Sequence, residues 1–277
     1  MEEKFGPKGN LMPRDVVSRE EYQVIRNWGT PIYLDTTVIP KELFRTSLTG
    51  FVDDCREYFH VDPETTPIPV LYGIHYFMGG VYVDPHHRTN LRGMYSAGEN
   101  ACQYHGANRL GGNSLLGAFF GGLVVAESII ADSGAETLEN LQIEDIDITP
   151  FLAPYAEKES QPGAHAETVT EFQKIMQQTL AISRDEETLT AGLAELEDLE
   201  KRWHKVHDPF AAFDENILLE HRFILAKAMI LAARERKESR GAHNRSDYPE
   251  RNEAYEKTHL YEFTDGQIRL SWKKENE

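Results

Sequence analysis

His105-Gly-Ala-Asn-Arg-Leu-Gly-Gly-Asn-Ser-Leu-Leu116 sets an arginine, a glycine-rich turn and the start of an apolar run side by side. An arginine fork matches a carboxylate or phosphate through two parallel, charge-assisted hydrogen bonds, a geometry that a lysine point charge does not reproduce. Gly106, Gly111 and Gly112 let backbone and ligand approach closely. A helix beginning near Asn113 or Ser114 would aim free N–H groups and the positive end of its dipole at whatever lies before it. The stretch therefore reads as an anion-holding turn ahead of a helix. Its apolar continuation, Leu115 to Ile130, reads as a buried helix. Gly117, Gly121, Gly122, Glu127 and Ser128 interrupt that run, and a spanning helix needs about 20 mostly apolar residues, so no membrane span is expected.

Upstream, Ile32-Tyr-Leu34 reads as a short strand and Pro40 to Phe59 as containing a helix, together part of an α+β module. Between Val70 and Glu99, β-branched and aromatic runs separated by Gly79-Gly80, Asp84-Pro85 and Asn90 to Gly93 predict strands and turns. Downstream, the polar, proline-bearing stretch Asp132 to Pro162 marks a boundary, and the periodicity then turns helical. Ser183-Arg-Asp-Glu186 reads as a capping box opening a helix with the stripe Leu189, Leu193, Leu196, Leu199, Trp203 and Val206. Phe172, Ile175, Met176 and Leu180 form a stripe before it, and Ile217, Ile224, Leu225, Ala228 and Leu231 one after it. Three amphipathic helices with short connections predict an antiparallel bundle. Strands are expected within Thr258 to Trp272. The fold class is α+β, with divisions at residues 1–72, 73–150, 151–240 and 241–277.

With 46 acidic against 29 basic residues the formal charge is −17, which argues against nucleic-acid binding and against direct adhesion to anionic lipid. Cys55 and Cys102 are the only cysteines, too few for a disulfide framework and without metal-site spacing; both read as reduced, small core residues, and no metal is expected. Glu2, Glu3 and Lys4 follow Met1 without a secretory pattern, so the expected compartment is the cytoplasm.

Several side chains could carry chemistry. Arg109 suits an anion ligand or a structural salt bridge. His75, between the apolar run Ile68 to Ile74 and Gly79-Gly80, suits a cavity edge or a satisfied core position. Arg14 reads as an anion ligand or surface charge, since arginine is ordinarily too weak an acid to give up a proton, with a pKa above roughly 12. Glu99 follows a strand-like run and could accept hydrogen bonds from sugar hydroxyls or stand exposed in a turn.

His105 to Leu116, with Gly93-Met-Tyr-Ser-Ala-Gly-Glu99 before it, resembles the flavoprotein subunit of succinate dehydrogenase and fumarate reductase. The resemblance extends through Pro13-Arg-Asp-Val-Val-Ser-Arg19, Pro67-Ile-Pro-Val70, His75-Tyr-Phe-Met-Gly-Gly80, Glu238-Ser-Arg-Gly-Ala-His243 and Asp247-Tyr-Pro-Glu-Arg251, so it covers essentially the whole chain. It implies FAD as cofactor and succinate or fumarate as substrate. By this matching Arg14 passes the proton, with Asp15, Arg19 and Glu20 as nearby relay partners. His75 and Arg109 hold the dicarboxylate. Glu99 contacts FAD, and Asn113, Ser114 and Leu115 offer a cap and backbone N–H groups to the flavin ring. Gly117, Gly121 and Gly122 become close-packing positions, and His243 a structural or interfacial residue. The chain has one residue fewer than is usual in the family between Glu99 and Arg109.

No Gly-x-Gly-x-x-Gly turn occurs in the chain, although proteins of this superfamily hold the FAD pyrophosphate with one. The expectation is therefore the C-terminal part of such a subunit: a partial capping domain, the C-terminal part of an FAD-binding domain, a three-helix bundle and a short β-containing tail. Its implied partners are an N-terminal flavoprotein half and an iron–sulfur subunit, with membrane contact only through partners. The alternatives are an L-aspartate oxidase-like enzyme and a truncated, inactive fragment kept for assembly; Met78 and Gly111-Gly112 favour the dicarboxylate enzyme over the oxidase.

Overall fold

The computed structural model describes residues 2–101, 103–133, 147, 149 and 157–274. It divides into two compact units, Met1–His75 and Tyr76–Glu277. Cys102 and most of the expected boundary segment lie outside the described residues.

The first unit contains helices α1 (Glu2–Phe5), α2 (Arg14–Trp28), α3 (Lys41–Thr46) and α4 (Thr49–Tyr58), with strands β1 (Ile32–Leu34) and β2 (Ile68–Val70). Pro13, with φ −49°, precedes α2, and Gly29 ends it in the left-handed region that a glycine C-cap supplies. The strands pair antiparallel with Ile32 opposite Val70 and Leu34 opposite Ile68. Phe44, Val52, Cys55 and Ile68 are buried, and Cys55 is a free thiol as expected.

The second unit begins with a long irregular stretch. The strands expected between Val70 and Glu99 do not form beyond β2; among the described residues this region has only isolated bridges, Gly80 to Ala101 and Arg88 to Tyr95. Its runs are too short between breakers to build a ladder, and the backbone pairs locally instead. Asp84, for example, accepts hydrogen bonds from the His86 and Arg88 N–H groups at 2.8 and 2.9 Å. Helix α5 (Asn113–Asp132) follows, then α6 (Ala164–Thr179), α7 (Glu186–Trp203) and α8 (Phe213–Glu235). Strands β3 (Glu159–Ser160) and β4 (Val206–His207) pair parallel. Where strands were expected, β5 (Thr258–Thr264) and β6 (Gln267–Lys273) pair antiparallel as a hairpin. Its turn is Asp265-Gly266, both at positive φ, the pairing that a two-residue hairpin favours.

The bundle core is Ile175 of α6, Leu189, Leu196, Leu199 and Trp203 of α7, and Leu219, Phe223, Ala226 and Ile230 of α8. The first two stripes face the core as expected, except that α7 ends at Trp203 and Val206 packs on the core from β4; the third is displaced. Leu225 is half exposed, while Leu219, Phe223 and Ile230 are the inward residues. A helix apolar on most of its circumference does not reveal its inner face by periodicity alone. The capping box also shifts: the N-cap is Asp185, whose carboxylate accepts from the Thr188 N–H at 2.8 Å. Ser183 is outside the helix, and Glu186 instead pairs with Arg234 at 3.0 Å and Arg245 at 3.2 Å.

Candidate active site

Helix α5 starts at Gly112, which at φ 81° supplies a left-handed N-cap. The expected cap is corrected by one position: Asn113 is the first helical residue, and no side chain caps the end. The Asn113 N–H is taken by the Leu110 carbonyl at 3.2 Å. The first turn has no acidic residue, so the N–H groups and dipole of this end remain directed at an approaching anion.

The same helix overturns the buried reading. Only Gly117, Gly121 and Ser128 are buried, whereas Leu115, Phe119, Leu123 and Ile130 are each more than 60% exposed. The chain itself covers one stripe of the helix. By length and composition α5 is also long and apolar enough to cross a membrane, contrary to the sequence expectation. The interruptions that argued against a span are glycines, a serine and a single glutamate, none of which ends the helix. A Cβ at Gly117 would stand 2.8 Å from the Tyr104 ring, and one at Gly121 would stand 3.0 Å from the His87 ring. Gly122 meets nothing within 4 Å, so close packing applies to two of the three glycines. At the far end Asp132 accepts two bonds from Arg88, both at 2.7 Å, and one from the Tyr95 hydroxyl at 2.7 Å. These bonds hold the Asp132 carboxyl down to about 2.

Ahead of α5, Arg109 is held by its backbone and its side chain. Its N–H donates to the Met78 sulfur at 3.0 Å, its guanidinium lies 4.6 Å above the Tyr76 ring, and Nη1 donates to the Leu110 carbonyl at 3.1 Å. Its Nε is buried with no hydrogen-bond partner. Among the described residues, no carboxylate forms an ion pair with Arg109. His105 packs edge-on against Tyr76 at 5.6 Å and Tyr104 at 4.8 Å. Burial lowers its pKa, and the charge of Arg109 lowers it further. Its Nε2 is likewise buried without a partner. Two polar atoms left this way beside one another are costly unless a ligand completes them.

Glu99 is exposed and accepts the Phe77 N–H at 2.9 Å. Glu99 and Arg109 thus fasten consecutive residues, Phe77 and Met78, and this links two of the expected site residues through one backbone segment. Tyr76 is a neighbour of Arg109 that the sequence reading did not single out, and Met78, read there only as a mark against the oxidase, also touches Arg109; both stand just after His75 in His75-Tyr-Phe-Met-Gly-Gly80.

The first unit carries Arg14 and His75. Arg14 is exposed at the first position of α2, and His75 is exposed at the end of the unit. Of the relay partners, Asp15 pairs with Arg19 at 3.7 Å and Glu20 with Lys4 at 2.6 Å. Arg14 also acts on the Glu21 carboxyl, whose pKa is raised by burial and partly restored by the Arg14 charge.

A glycine-led helix end beside an arginine turn suits an anionic ligand, and the comparisons with known proteins give the class as a flavin-dependent oxidoreductase. Residues 1–115 match the family model described as "FAD binding domain", and residues 169–276 match that described as "Fumarate reductase flavoprotein C-term". The chain belongs to the succinate dehydrogenase and fumarate reductase flavoprotein family, whose cofactor is FAD. It is 32% identical over 273 residues to the succinate dehydrogenase flavoprotein subunit of Bacillus subtilis, covering 91% of this chain and 46% of that one. It is 33% identical to an L-aspartate oxidase of Rhodospirillum rubrum, covering 88% of this chain and 80% of the relative. Among solved structures, a quinol-fumarate reductase with menaquinol superposes with a TM-score of 0.80 at 28% identity, covering 95% of this chain and 49% of that one. The chain thus spans about half the length of most of the curated relatives it matches.

Proposed function

We propose that this chain forms the substrate-facing and flavin-facing part of an enzyme interconverting succinate and fumarate. The observation that carries the reading is the uncapped α5 N-terminus next to Arg109, whose Nε is buried and without a partner. FAD, when bound, supplies the hydride chemistry. The residues that would hold it are Glu99, through its carboxylate, and Asn113, Ser114 and Leu115 at the positive end of α5, where negative charge on a reduced flavin is stabilised. Arg109 and His75 hold the substrate carboxylates, the arginine through its planar fork. Arg14 moves the proton at the substrate carbon, with Glu21 as the neighbouring carboxyl. Residues 1–72 act as the part that closes over the substrate, and residues 73–150 as flavin-domain framework.

The partners we infer are an N-terminal flavoprotein half and an iron–sulfur subunit, which would place the protein in the cytoplasm at the inner face of a membrane. The exposed apolar faces of α5 support burial against further polypeptide. Arg14→Ala in the flavin-loaded protein should lower fumarate reduction by about 10²-fold or more, the scale of general acid catalysis, while flavin absorbance stays. Retained turnover would remove Arg14 from the proton path. The long match to an L-aspartate oxidase favours one alternative; oxidation of aspartate but not of succinate in a substrate screen would establish it instead.

A further inference from the structure

The Glu238-Ser-Arg-Gly-Ala-His243 segment lies just beyond α8, and its turn reaches the arginine loop. The Ala242 N–H donates to the Ala107 carbonyl at 3.0 Å. Gly241 sits at φ +57°, and a Cβ there would run into the Ala107 carbonyl, lying 2.6 Å from its carbon and 3.0 Å from the Asn108 Cβ. Only glycine combines that conformation with that approach.

The turn itself is rigidly founded. Arg240 and His243 exchange backbone hydrogen bonds at 2.8 and 3.1 Å. Glu238, fully buried, accepts from Arg236 Nη1 at 2.7 Å, from Arg240 Nε at 2.9 Å and from the Asn252 N–H at 3.0 Å. His243 Nε2 bonds the Arg236 carbonyl at 3.0 Å. Two residues along the arginine loop, the Met78 sulfur holds the Arg109 N–H. Ala107 to Arg109 is therefore gripped at two points, one of which belongs to the tail beyond the bundle.

We propose that the Gly241-Ala242 tip is a positioning element that sets the backbone of Arg109, and with it the reach of the guanidinium toward a substrate carboxylate. The inference rests on the reading of Arg109 as the carboxylate ligand. It assigns the tail of the second unit a part in substrate affinity. A small displacement of Ala107 moves the base of a long side chain whose fork must meet two oxygens at once, so the effect falls on binding and not on flavin retention.

The test uses the flavin-loaded holoenzyme titrated with malonate, a dicarboxylate with no CH–CH bond to oxidise, followed by the flavin absorbance change. Gly241→Ala should weaken malonate at least tenfold, leave the flavin-to-protein ratio intact and speed amide exchange at residues 106–110. In an Arg109→Ala background the same substitution should change malonate affinity less than twofold, because its effect passes through Arg109. Unchanged affinity in Gly241→Ala, with Arg109→Ala weakened, overturns the positioning role and leaves the carboxylate reading standing. Equal losses in both backgrounds also overturn it, as general loosening. Unchanged affinity in Arg109→Ala removes the underlying reading itself. If Gly241→Ala does not fold, Ala242→Pro, which deletes the N–H donated to Ala107, takes its place under the same outcomes.

Discussion

Gly192, where α7 crosses α6, offers a decisive stability test because two effects of opposite sign meet there. In an isolated helix Gly→Ala gains about 1 kcal/mol from reduced backbone entropy. Here a Cβ would overlap the Thr179 hydroxyl and stand 2.5 Å from Thr179 Cγ2 and 2.6 Å from its Cβ. Thr179 is 2% exposed and β-branched, so it has no free rotamer to retreat into. The helices must move apart, and Leu189 and Leu196, both 0% exposed, lose contact. Overpacking of this kind costs about 1–3 kcal/mol or more, and an overlap with the threonine branch belongs at the upper end. We expect Gly192→Ala to destabilise by about 2 kcal/mol net, read as a lower urea midpoint in the fluorescence of Trp203, buried in the same core at 1% exposure. Thr179→Gly should recover most of that loss when combined with it. An unchanged or raised midpoint in Gly192→Ala would show that the crossing is loose and that helix propensity governs the site.

Other outcomes follow from the tail and the site. Burial, with the charges of nearby Arg184, Arg236 and Arg245, lowers His243 to about 4, so the unfolded chain binds the proton more readily below its ordinary pKa near 6.5. Stability should fall by up to about 3 kcal/mol as pH drops from 6.5 to 4 and level below that, and a His243→Gln protein lacking this slope in pH-dependent urea titrations would confirm the source. Arg245, 0% exposed, donates to Asp247 at 2.7 Å, to Glu186 at 3.2 Å and to the Ala233 carbonyl at 2.8 Å. Arg245→Leu should cost about 3–5 kcal/mol by stranding those acceptors, and a loss below about 1 kcal/mol in the same assay would refute that. Tyr76→Leu removes the ring beneath Arg109 and should weaken malonate roughly fivefold, about 1 kcal/mol; unchanged affinity would mean the contact is incidental.

Much of this was legible in the sequence where local chemistry and tertiary context agree. Gly112 before an apolar run placed the start of α5, and the leucine spacing of α7 gave its inner face. The failures have physical causes. Ser183 satisfied a capping pattern, but Asp185 lies nearer the first turn and took the role. The runs between Val70 and Glu99 carry strand formers, yet a strand needs a partner, and turn carboxylates such as Asp84 claim the backbone first. Leu225 looks like core because α8 is apolar on more than one side. The contacts of Tyr76 and Met78 with Arg109, thirty or so positions away in sequence, became visible only once folding brought them together.

The bare flank of α5 also bears on how the protein behaves in concentrated solution. Leu115, Phe119, Leu123 and Ile130 face water along one 20-residue helix, a continuous greasy surface of the kind that drives self-association. Until something covers that flank, the protein should self-associate as its concentration rises.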